Sequence, residues 1–475
     1  MRQDSPPART RFIYYPDHLV PVPPSSDKAP LNQLWDIVRS LATEPVFKSL
    51  ITSAIMERFR EPRDEHHDES VREFISRRFS PKVADNLISP VVHGIYAGDI
   101  DSLSARTLCG NFWLQEAKGR SMVQSLTDKW WQRDFYYDDV IGFDSLIDSP
   151  SQTLKSMETE LSGYSTLTFL NGLTELIKAL ESSIRKSGKA KIITNARVTS
   201  VTQQSDSSDL TISFEHHGSS QARTHSHVIA TIAAPELANI LKNRPQGQES
   251  DHLTPTPVDS INGLKKYNYA VTVMPVSLYY PNPNVVPVKG FGYLIPRSIP
   301  FNQNPELALG VIFESQATAR EQQKKGLGEI VTVMLGGHYW DGWKESDFPD
   351  HETAVAMARS VLERHLGIKD EPTITRSRLQ RNAMPQYTVG HVERMMALYD
   401  AVCKEFRCRL TLAGTWYGVA GVPSCVQQGY IAAASRIAPS SDGLSADSEG
   451  GTAAMPSLVL RNRYKDTPPD KLKKN

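Results

Sequence analysis

The stretch LAGTWYGVAGVPSCVQQGYIAAA, residues 412–434, predicts a buried strand, a glycine-rich turn and then a helix that begins near Pro423. The strand ends at Ala413 and Gly414, where only small residues let a ligand approach the backbone. The helix would direct free N–H groups and partial positive charge at that point, which suits an anionic ligand. A purely structural helix packed on a strand would fit the same pattern.

The rest of the chain changes character near residue 150. Apolar residues at helical spacing predict helices over 31–41, 46–59, 69–79 and 81–97, after a short strand at 12–15 and a proline-rich connector. Beyond residue 151 a helix ends at Gly188, and a second helix is predicted over 351–366. Strands are predicted over 190–204, 210–218, 224–235, 269–280, 307–315, 329–337 and 373–387. The predicted fold class is α+β, with a helical N-terminal part and a β-rich remainder.

Composition limits the function classes. Among 475 residues, Lys+Arg and Asp+Glu both number 53, and this balance disfavours a nucleic-acid partner. No apolar run is long enough for a membrane span, and no secretory or transit peptide is recognisable at the N-terminus. The cysteines, at positions 109, 403, 408 and 425, form no C-x-x-C pair, which disfavours a disulfide framework and fits a reducing compartment.

Two short motifs contain residue types that bind metals, but neither has the spacing of a metal site. His66 and His67 lie among acidic residues, but neighbouring positions on a polar loop do not converge on one ion, so a solvated loop is expected. Asp99 and Asp101 resemble part of a calcium loop whose other acidic positions are missing. We therefore expect no metal site.

Six stretches together point to one family. In addition to residues 412–434 they are RFIYYPDHLVPVP (11–23), DNLISPVVHGIYAGDIDSLSARTL (85–108), GFGYLIP (290–296), VTVMLGG (331–337) and NAMPQYTVGH (382–391). Because these stretches occur in this order, the chain resembles the FAD-dependent amine oxidase superfamily and, within it, the protoporphyrinogen oxidase family in its eukaryotic mitochondrial form. The resemblance spans about residues 11 to 437.

The resemblance implies an amine-oxidase type of fold with three parts. Residues 1–150 would form a helical domain that lines a channel and associates with the mitochondrial inner membrane. Residues 151–240 and 373–437 would form an α/β FAD-binding domain, and residues 241–372 a β-rich substrate domain, followed by a mobile tail at 438–475. The activity implied is oxidation of protoporphyrinogen IX to protoporphyrin IX, with hydride transfer to FAD and O₂ as the final acceptor. A homodimer is compatible with this resemblance.

By motif match, the resemblance also implies the substrate contacts. A flexible apolar macrocycle with two propionates needs an apolar slot with a cation at its rim. Phe291 would stack on a pyrrole ring, Gly94 would bring its backbone near the ring nitrogens, and Arg11 would lie near the propionates. The implied substrate residues are Arg11, Gly94, Phe291, Leu294 and Met334.

The same motif match implies the cofactor contacts. Val198 would contact the adenine end through its backbone, the 419–421 turn would lie along the isoalloxazine, and residues of the 385–391 stretch would close the other side. The implied FAD-binding residues are Val198, Pro385, Tyr387, His391, Ala413, Gly414, Val419, Ala420 and Gly421. No catalytic side chain is predicted, because the flavin carries out the difficult chemistry.

The chain departs from this family in one respect. The family begins with a strand, a G-x-G-x-x-G turn and a helix, whereas only ten residues precede the RFIYY stretch here. We therefore expect that the N-terminal FAD motif is missing and that the flavin site is half present. One hypothesis is a truncated version of an active oxidase; the alternative is a non-catalytic homologue that binds porphyrin or a partner in haem synthesis. A different amine-oxidase-type flavoenzyme is the third.

Overall fold

The computed structural model describes residues 10–22, 39–63, 67–117, 119–123, 160, 168–169, 171–205, 207–243, 254–267, 269–317, 328–418 and 420–437. The predicted tail at 438–475, His66, Val419 and most of the helix predicted over 31–41 lie outside these residues.

The strands are β1 Arg11–Tyr14, β2 Leu19–Val22, β3 Ala196–Gln203, β4 Leu210–His216, β5 Ser219–His225, β6 Val228–Ala230, β7 Ala270–Tyr280, β8 Gly292–Leu294, β9 Ala308–Phe313, β10 Glu329–Gly336, β11 Ile374–Ser377, β12 Gln380–Pro385 and β13 Leu410–Leu412. The main helices are α1 Leu50–Glu57, α2 Val71–Arg78, α3 Ser89–Tyr96, α4 Gly110–Ala117, α5 Thr174–Ser187, α6 Ala234–Lys242, α7 Val258–Lys265, α8 His351–Leu366, α9 His391–Glu405 and α10 Val422–Ile437. Shorter helical turns cover Pro45–Phe47, Pro81–Val83, Ala84–Ile88, Ala105–Leu108, Phe301–Gln303, Glu314–Ala317, Gly337–Trp340 and Glu345–Asp347.

The described residues fall into two compact units. The first unit combines the residues before 124 with 168–190 and 270–389, and the second combines 191–269 with 390–437. The first unit therefore contains both the N-terminal helices and the largest sheet.

That sheet has eight strands, in the order β11-β7-β10-β9-β8-β1-β2, with β12 also pairing with β7. One face is the core of the unit: Tyr293, Val311 and Val333 lie opposite each other on β8, β9 and β10 and are almost fully buried. Helix α8 covers this core with Ala354, Ala358, Val361 and Leu362. Because side chains alternate along a strand, the neighbouring row points to the opposite face.

The N-terminal helices of the first unit are joined by a buried ion network. Arg78 on α2 pairs with Glu57 at the end of α1, and both side chains are buried. Arg77 pairs with Glu69 and with Glu116 on α4. These contacts fix three short helices against each other, since none of them is long enough to be stable alone.

The second unit contains a three-stranded sheet, β3-β4-β5, and a parallel pair, β13-β6. Leu410 and Leu412 of β13 are buried against α6, α7 and α9, whose apolar faces share one core with them. The parallel register sets Leu412 opposite Ala230, so both strands end at the same edge.

Several sequence expectations need correction. Residues 19–22, predicted as a connector, form β2 at the edge of the large sheet, where a strand tolerates Pro21 because its missing N–H is not needed. The strand predicted over 373–387 is divided into β11 and β12, which both pair with β7. The four cysteines are not all free, because Cys403 near the end of α9 forms a disulfide with Cys408, which follows the helix.

Candidate functional site

The first unit contains a cavity of about 680 Å³ on the face of the large sheet opposite its core. Its walls come from β1, β8, β9 and β10 on one side and from α1 and α3 on the other. All five residues predicted as substrate contacts line this cavity: Arg11, Gly94, Phe291, Leu294 and Met334. They come from four separate stretches of sequence. The structure brings them together, while their ligand stays a prediction.

Arg11 carries the only permanent charge among the described lining residues. Its guanidinium carbon lies 5.8 Å from the centre of the Phe291 ring. The backbones of the two segments are also joined, because the Phe291 N–H donates to the carbonyl of Thr10, the residue before Arg11, at 3.0 Å. A cation over an aromatic face is held by the ring quadrupole. One cation in an otherwise apolar cavity is suited to an apolar ligand that carries carboxylates.

Leu294 occupies the space between the sheet and helix α3. It lies directly opposite Gly310 on β9, and Gly310 lies opposite Met334 on β10. A Cβ atom added to Gly94 would meet the Cδ2 atom of Leu294 at 2.8 Å. Glycine is thus needed at position 94 first to leave room for Leu294, and not only to leave room for a ligand as the sequence predicted.

A pair of histidines, His93 and His338, lies at the cavity wall. His93 on α3 lines the cavity, and its Nδ1 lies 2.8 Å from the carbonyl oxygen of Ile295, so Nδ1 carries the proton. Its Nε2 then has a lone pair, which accepts the Nε2–H of His338 at 2.9 Å. Burial lowers the pKa of His93 to about 3, with the neighbouring His338 as a further cause. Burial also lowers the pKa of His338 to about 4, assisted by the positive charge of Arg297.

The acidic residues that follow α3 are used in ion pairs. Arg297 donates to Asp99 at 2.9 Å and lies 2.8 Å from Asp101. Arg72 pairs with Asp85 at 3.0 Å and lies 3.5 Å from Asp101. Within the described part of the chain, no cluster of three or more metal-ligating side chains occurs.

In the second unit, the edge where β6 and β13 end carries the predicted glycine turn. The N–H of Ala413 donates to the carbonyl of Ala230 at 3.0 Å, and the N–H of Gly414 donates to the side-chain oxygen of Gln428 at 2.9 Å. Gly414 has a φ of 111° and Gly421 a φ of 131°, conformations that favour glycine. A Cβ atom added to Gly414 would meet the Thr231 carbonyl oxygen at 3.5 Å, an ordinary contact distance, so there is space beside this backbone. Helix α10 starts at Val422 and has no acidic side chain in its first turn.

The other predicted cofactor residues are distributed over both units. In the first unit, Pro385 ends β12, and Tyr387 is buried with its carbonyl accepting the N–H of Ser104 at 2.8 Å. In the second unit, Val198 lies on β3 opposite Phe214. His391 begins α9, is buried, and has its pKa lowered to about 3 by burial and by Arg394. Ala420 and Gly421 precede α10, whereas Val419 lies outside the described residues.

Sequence reasoning missed the histidine pair, of which His93 lines the cavity and His338 does not, and several further lining residues. His93 directly precedes Gly94 in a motif that was recognised, and His338 directly follows the VTVMLGG stretch, so proximity to the motifs was the available clue. Gly310 and Met384 also line the cavity. Gly310 belongs to a strand with no recognised motif, and only the strand pairing reveals its position between Leu294 and Met334.

Comparison with known proteins identifies the family of this chain. Residues 2–436 match the family of flavin containing amine oxidoreductases, and the chain belongs to that family. It is therefore an FAD-dependent oxidoreductase of the amine-oxidase fold. Among its relatives is the protoporphyrinogen oxidase of Schizosaccharomyces pombe, which is 27% identical over 431 residues that cover 90% of this chain and 79% of the relative.

The human protoporphyrinogen oxidase is also 27% identical, over 92% of this chain and 81% of its own length. Among solved structures, a protein from Exiguobacterium sp. 255-15 that carries a provisional protoporphyrinogen oxidase name aligns with a TM-score of 0.60 at 19% identity. That alignment covers 88% of this chain and 77% of the other, and it supports the fold.

The residues of the second unit fit one end of the flavin cofactor. Gly414 leaves open space beside the end of a parallel strand pair, and the 16-residue helix α10 begins close by without a competing carboxylate. A helix N-terminus stabilises negative charge, which develops on the pyrimidine end of a reduced flavin. We therefore propose that Ala413, Gly414, Ala420 and Gly421 are the residues of this unit that would hold that end of FAD.

Proposed function

We propose that this protein oxidises protoporphyrinogen IX to protoporphyrin IX with FAD as cofactor and O₂ as the final electron acceptor. The observation that carries the proposal is the apolar cavity of about 680 Å³ whose lining includes Arg11, Gly94, Phe291, Leu294 and Met334. Small-molecule sites span roughly 300–1,000 Å³, so a cavity of this size is suited to a ligand as large as a tetrapyrrole. The protoporphyrinogen oxidases among the relatives support the same substrate.

The chemistry of the lining suits this substrate class. Apolar side chains dominate the cavity, and their contact with a macrocycle releases water from both surfaces. Phe291 offers an aromatic face, and Arg11 beside it offers a guanidinium that can pair with a propionate in bidentate fashion. When bound, FAD supplies the hydride acceptor. The protein's own part is to orient the ring, to anchor its carboxylates and to exclude water.

The first experiment is an oxidation assay with the full-length protein and added FAD. We expect protoporphyrinogen IX to be converted to fluorescent protoporphyrin IX with consumption of O₂. Oxidation of simple amines without oxidation of the porphyrinogen would favour another amine-oxidase-type enzyme. Tight binding of protoporphyrin IX without bound flavin or turnover would favour the non-catalytic alternative. Either result would overturn the proposal.

A variant of Arg11 tests how the substrate is anchored. Arg11→Met should raise KM for protoporphyrinogen by about ten- to hundredfold with little change in kcat, because a charge-assisted hydrogen bond of about 1.5–3 kcal/mol is lost. Arg223→Met is a matched control, since its guanidinium lies 5.7 Å from the Phe214 ring on the three-stranded sheet. An unchanged KM in Arg11→Met would contradict the anchoring role.

We also propose that an apolar face of the first unit contacts a membrane surface. On and directly after α1, Ile51, Ile55, Met56 and Phe59 expose 49–70% of their surface. Val91 and Ile95 of α3 are exposed as well, and both also line the cavity. The exposed cations Lys48, Arg58 and Arg60 flank α1. Apolar side chains with neighbouring cations favour an anionic lipid surface, and an apolar substrate could reach the cavity from it.

Within the described residues, no helix is both long enough and apolar enough to span a bilayer. The membrane proposal is tested by sedimentation with vesicles that contain anionic lipid. The double variant Ile55→Ser/Phe59→Ser should lose vesicle binding. Phe301→Ser should keep it, because Phe301 is equally exposed but belongs to the turn whose Gln303 carbonyl contacts His365 of α8. Equal binding by both variants would refute this role. By family resemblance we propose the mitochondrial inner membrane as the location, which cell fractionation would test.

A further inference from the structure

The cavity face of the large sheet has a gap at its centre. Across three neighbouring strands, Leu294, Gly310 and Met334 lie directly opposite each other. Directly opposed residues of antiparallel strands point to the same face, so Leu294 and Met334 flank a position without a side chain. All three residues line the cavity. The depth of the cavity at this point therefore depends on where the side chain of Leu294 lies.

Two glycines determine that position. A Cβ atom at Gly94 on α3 would be 2.8 Å from Leu294 Cδ2 and 3.2 Å from Leu294 Cδ1. A Cβ atom at Gly310 on β9 would be 3.0 Å from the same Cδ2 atom. The isobutyl group of Leu294 is thus enclosed between two backbones that approach closely because both residues are glycine.

We propose that Gly94 and Gly310 are specificity-determining residues that act through Leu294. By leaving room for its side chain between the helix and the sheet, they keep Leu294 flat against the cavity wall and preserve the depth that a macrocycle needs. This inference rests on the proposed porphyrinogen-oxidising function. It differs from a direct contact of Gly94 with the ligand, because the residue that responds first to a side chain at position 94 is Leu294.

The geometry specifies how Leu294 would respond. Ordinary contact begins at about 3.4 Å, so an alanine at position 94 requires the Cδ2 atom to move by about 0.6 Å or more. The end of a leucine side chain can rotate without moving the backbone. It cannot retreat toward Gly310, which it already approaches closely, so it moves into the cavity. Gly310→Ala is a less specific test, because its Cβ atom would also lie 2.7 Å from the backbone oxygen of Tyr293.

The test is a titration of the full-length protein with protoporphyrin IX, followed by its Soret absorbance. Gly94→Ala should weaken binding by about tenfold or more, because the displaced Leu294 side chain would occupy space that the macrocycle needs. In a Leu294→Ala background the same substitution should change binding by less than about twofold, because the side chain through which it acts is gone. Equal weakening in both backgrounds would show direct ligand contact, and either that result or no weakening would overturn the proposal.

Gly263→Ala provides a matched control. Gly263 lies on helix α7 in the second unit, and its added Cβ atom would meet Leu398 Cδ1 at 2.9 Å, a similar contact with a leucine methyl group. This variant should bind protoporphyrin IX as the wild type does. If it loses as much affinity as Gly94→Ala, general destabilisation explains both results and the proposal fails.

A readout that needs no ligand separates this proposal from the proposed function. Crystal structures of wild type and Gly94→Ala should show Leu294 Cδ2 displaced into the cavity with helix α3 in place. A wild-type protein that does not bind porphyrin would remove the proposed function. A Leu294 side chain that stays in position in the variant would instead overturn the role of the two glycines.

Discussion

The histidine pair at the cavity wall should make the first unit sensitive to acid. The perturbation is a decrease from about pH 7 to about pH 5 in the wild type and in a His93→Gln variant. His93 has an ordinary pKa of about 6.5 in the unfolded chain, while burial lowers its pKa to about 3 in the folded protein. Between these two values the unfolded state binds a proton that the folded state excludes. Stability contributed by neutral His93 is therefore lost as the pH falls below about 6.5.

The magnitude follows from this difference. A pH of about 5 is roughly 1.5 units below the pKa of His93 in the unfolded chain. Protonation of the unfolded chain at this residue therefore lowers the unfolding free energy by about 2 kcal/mol. His93 is 3% exposed, so solvent screening is small. The groups that face the pair are Arg297, which disfavours a further positive charge, and Asp99 and Asp101, which favour it. Both aspartates pair with Arg297, and Arg72 also lies 3.5 Å from Asp101, so their charges are offset. The Nε2–Nε2 hydrogen bond also has room for only one proton, so protonation of both histidines would break it.

The assay is urea unfolding at several pH values, followed by tryptophan fluorescence. The wild type should lose about 2 kcal/mol more than His93→Gln does between about pH 7 and about pH 5. His18→Gln is the control, because the pKa of exposed His18 is raised through its hydrogen bond with Asp17, so the sign of its contribution is opposite. If wild type and His93→Gln show the same pH dependence, the pair is not held neutral and the reasoning is refuted.

Three further variants test the fold and the cofactor site. Glu57→Gln should lower the unfolding free energy by about 1.5–3 kcal/mol, measured by urea unfolding, because it removes one of the two carboxylates of buried Arg78, whose second partner Glu116 lies 3.4 Å away. The exposed Glu61→Gln should change it little, and equal effects would contradict a role for the buried pair. Gly414→Ala should reduce the FAD content of purified protein, read from flavin absorbance, because the φ of 111° strains any other residue. The control Gly429→Ala on α10 has open space and should retain FAD, so loss of FAD in both variants would contradict a specific role of the glycine turn. Tyr417→Phe should cost about 1 kcal/mol in the same unfolding assay, since its hydroxyl donates to the carbonyl of Ile232 at 3.0 Å, and no loss would show that this bond is exchanged for water at no cost.

The local pattern of the sequence was enough for most elements. The helix that ends at Gly188 is found as α5, because a glycine with a φ of 64° completes the helix C-terminus. The strand and helix of residues 412–434 are found as β13 and α10. Helices α4, α7 and α9 were not predicted. Errors in the strands arise where pairing across the chain decides the structure. Residues 19–22 (LVPV) are apolar without alternation and contain a proline, so pairing with the partner strand β1 is what makes them a strand.

The candidate site shows the same division. Motifs in the sequence named Arg11, Gly94, Phe291, Leu294 and Met334, and the structure gathers them around one cavity. The sequence could not show that His93 and His338, which are 245 residues apart, share one proton. It also could not show the disulfide between Cys403 and Cys408, whose formation depends on how the chain turns after α9.

By itself, the sequence determined the α+β class, the family and the residue types of the site, because periodicity, glycine placement and short motifs are local properties of the chain. The tertiary structure alone decided the neighbours of those residues. Gly94 is required by Leu294, 200 positions away, and Gly310 becomes part of the site only through strand pairing. Distances between side chains depend on the packing of distant segments, and close packing leaves a single arrangement in which a glycine, a leucine and a second glycine fit together.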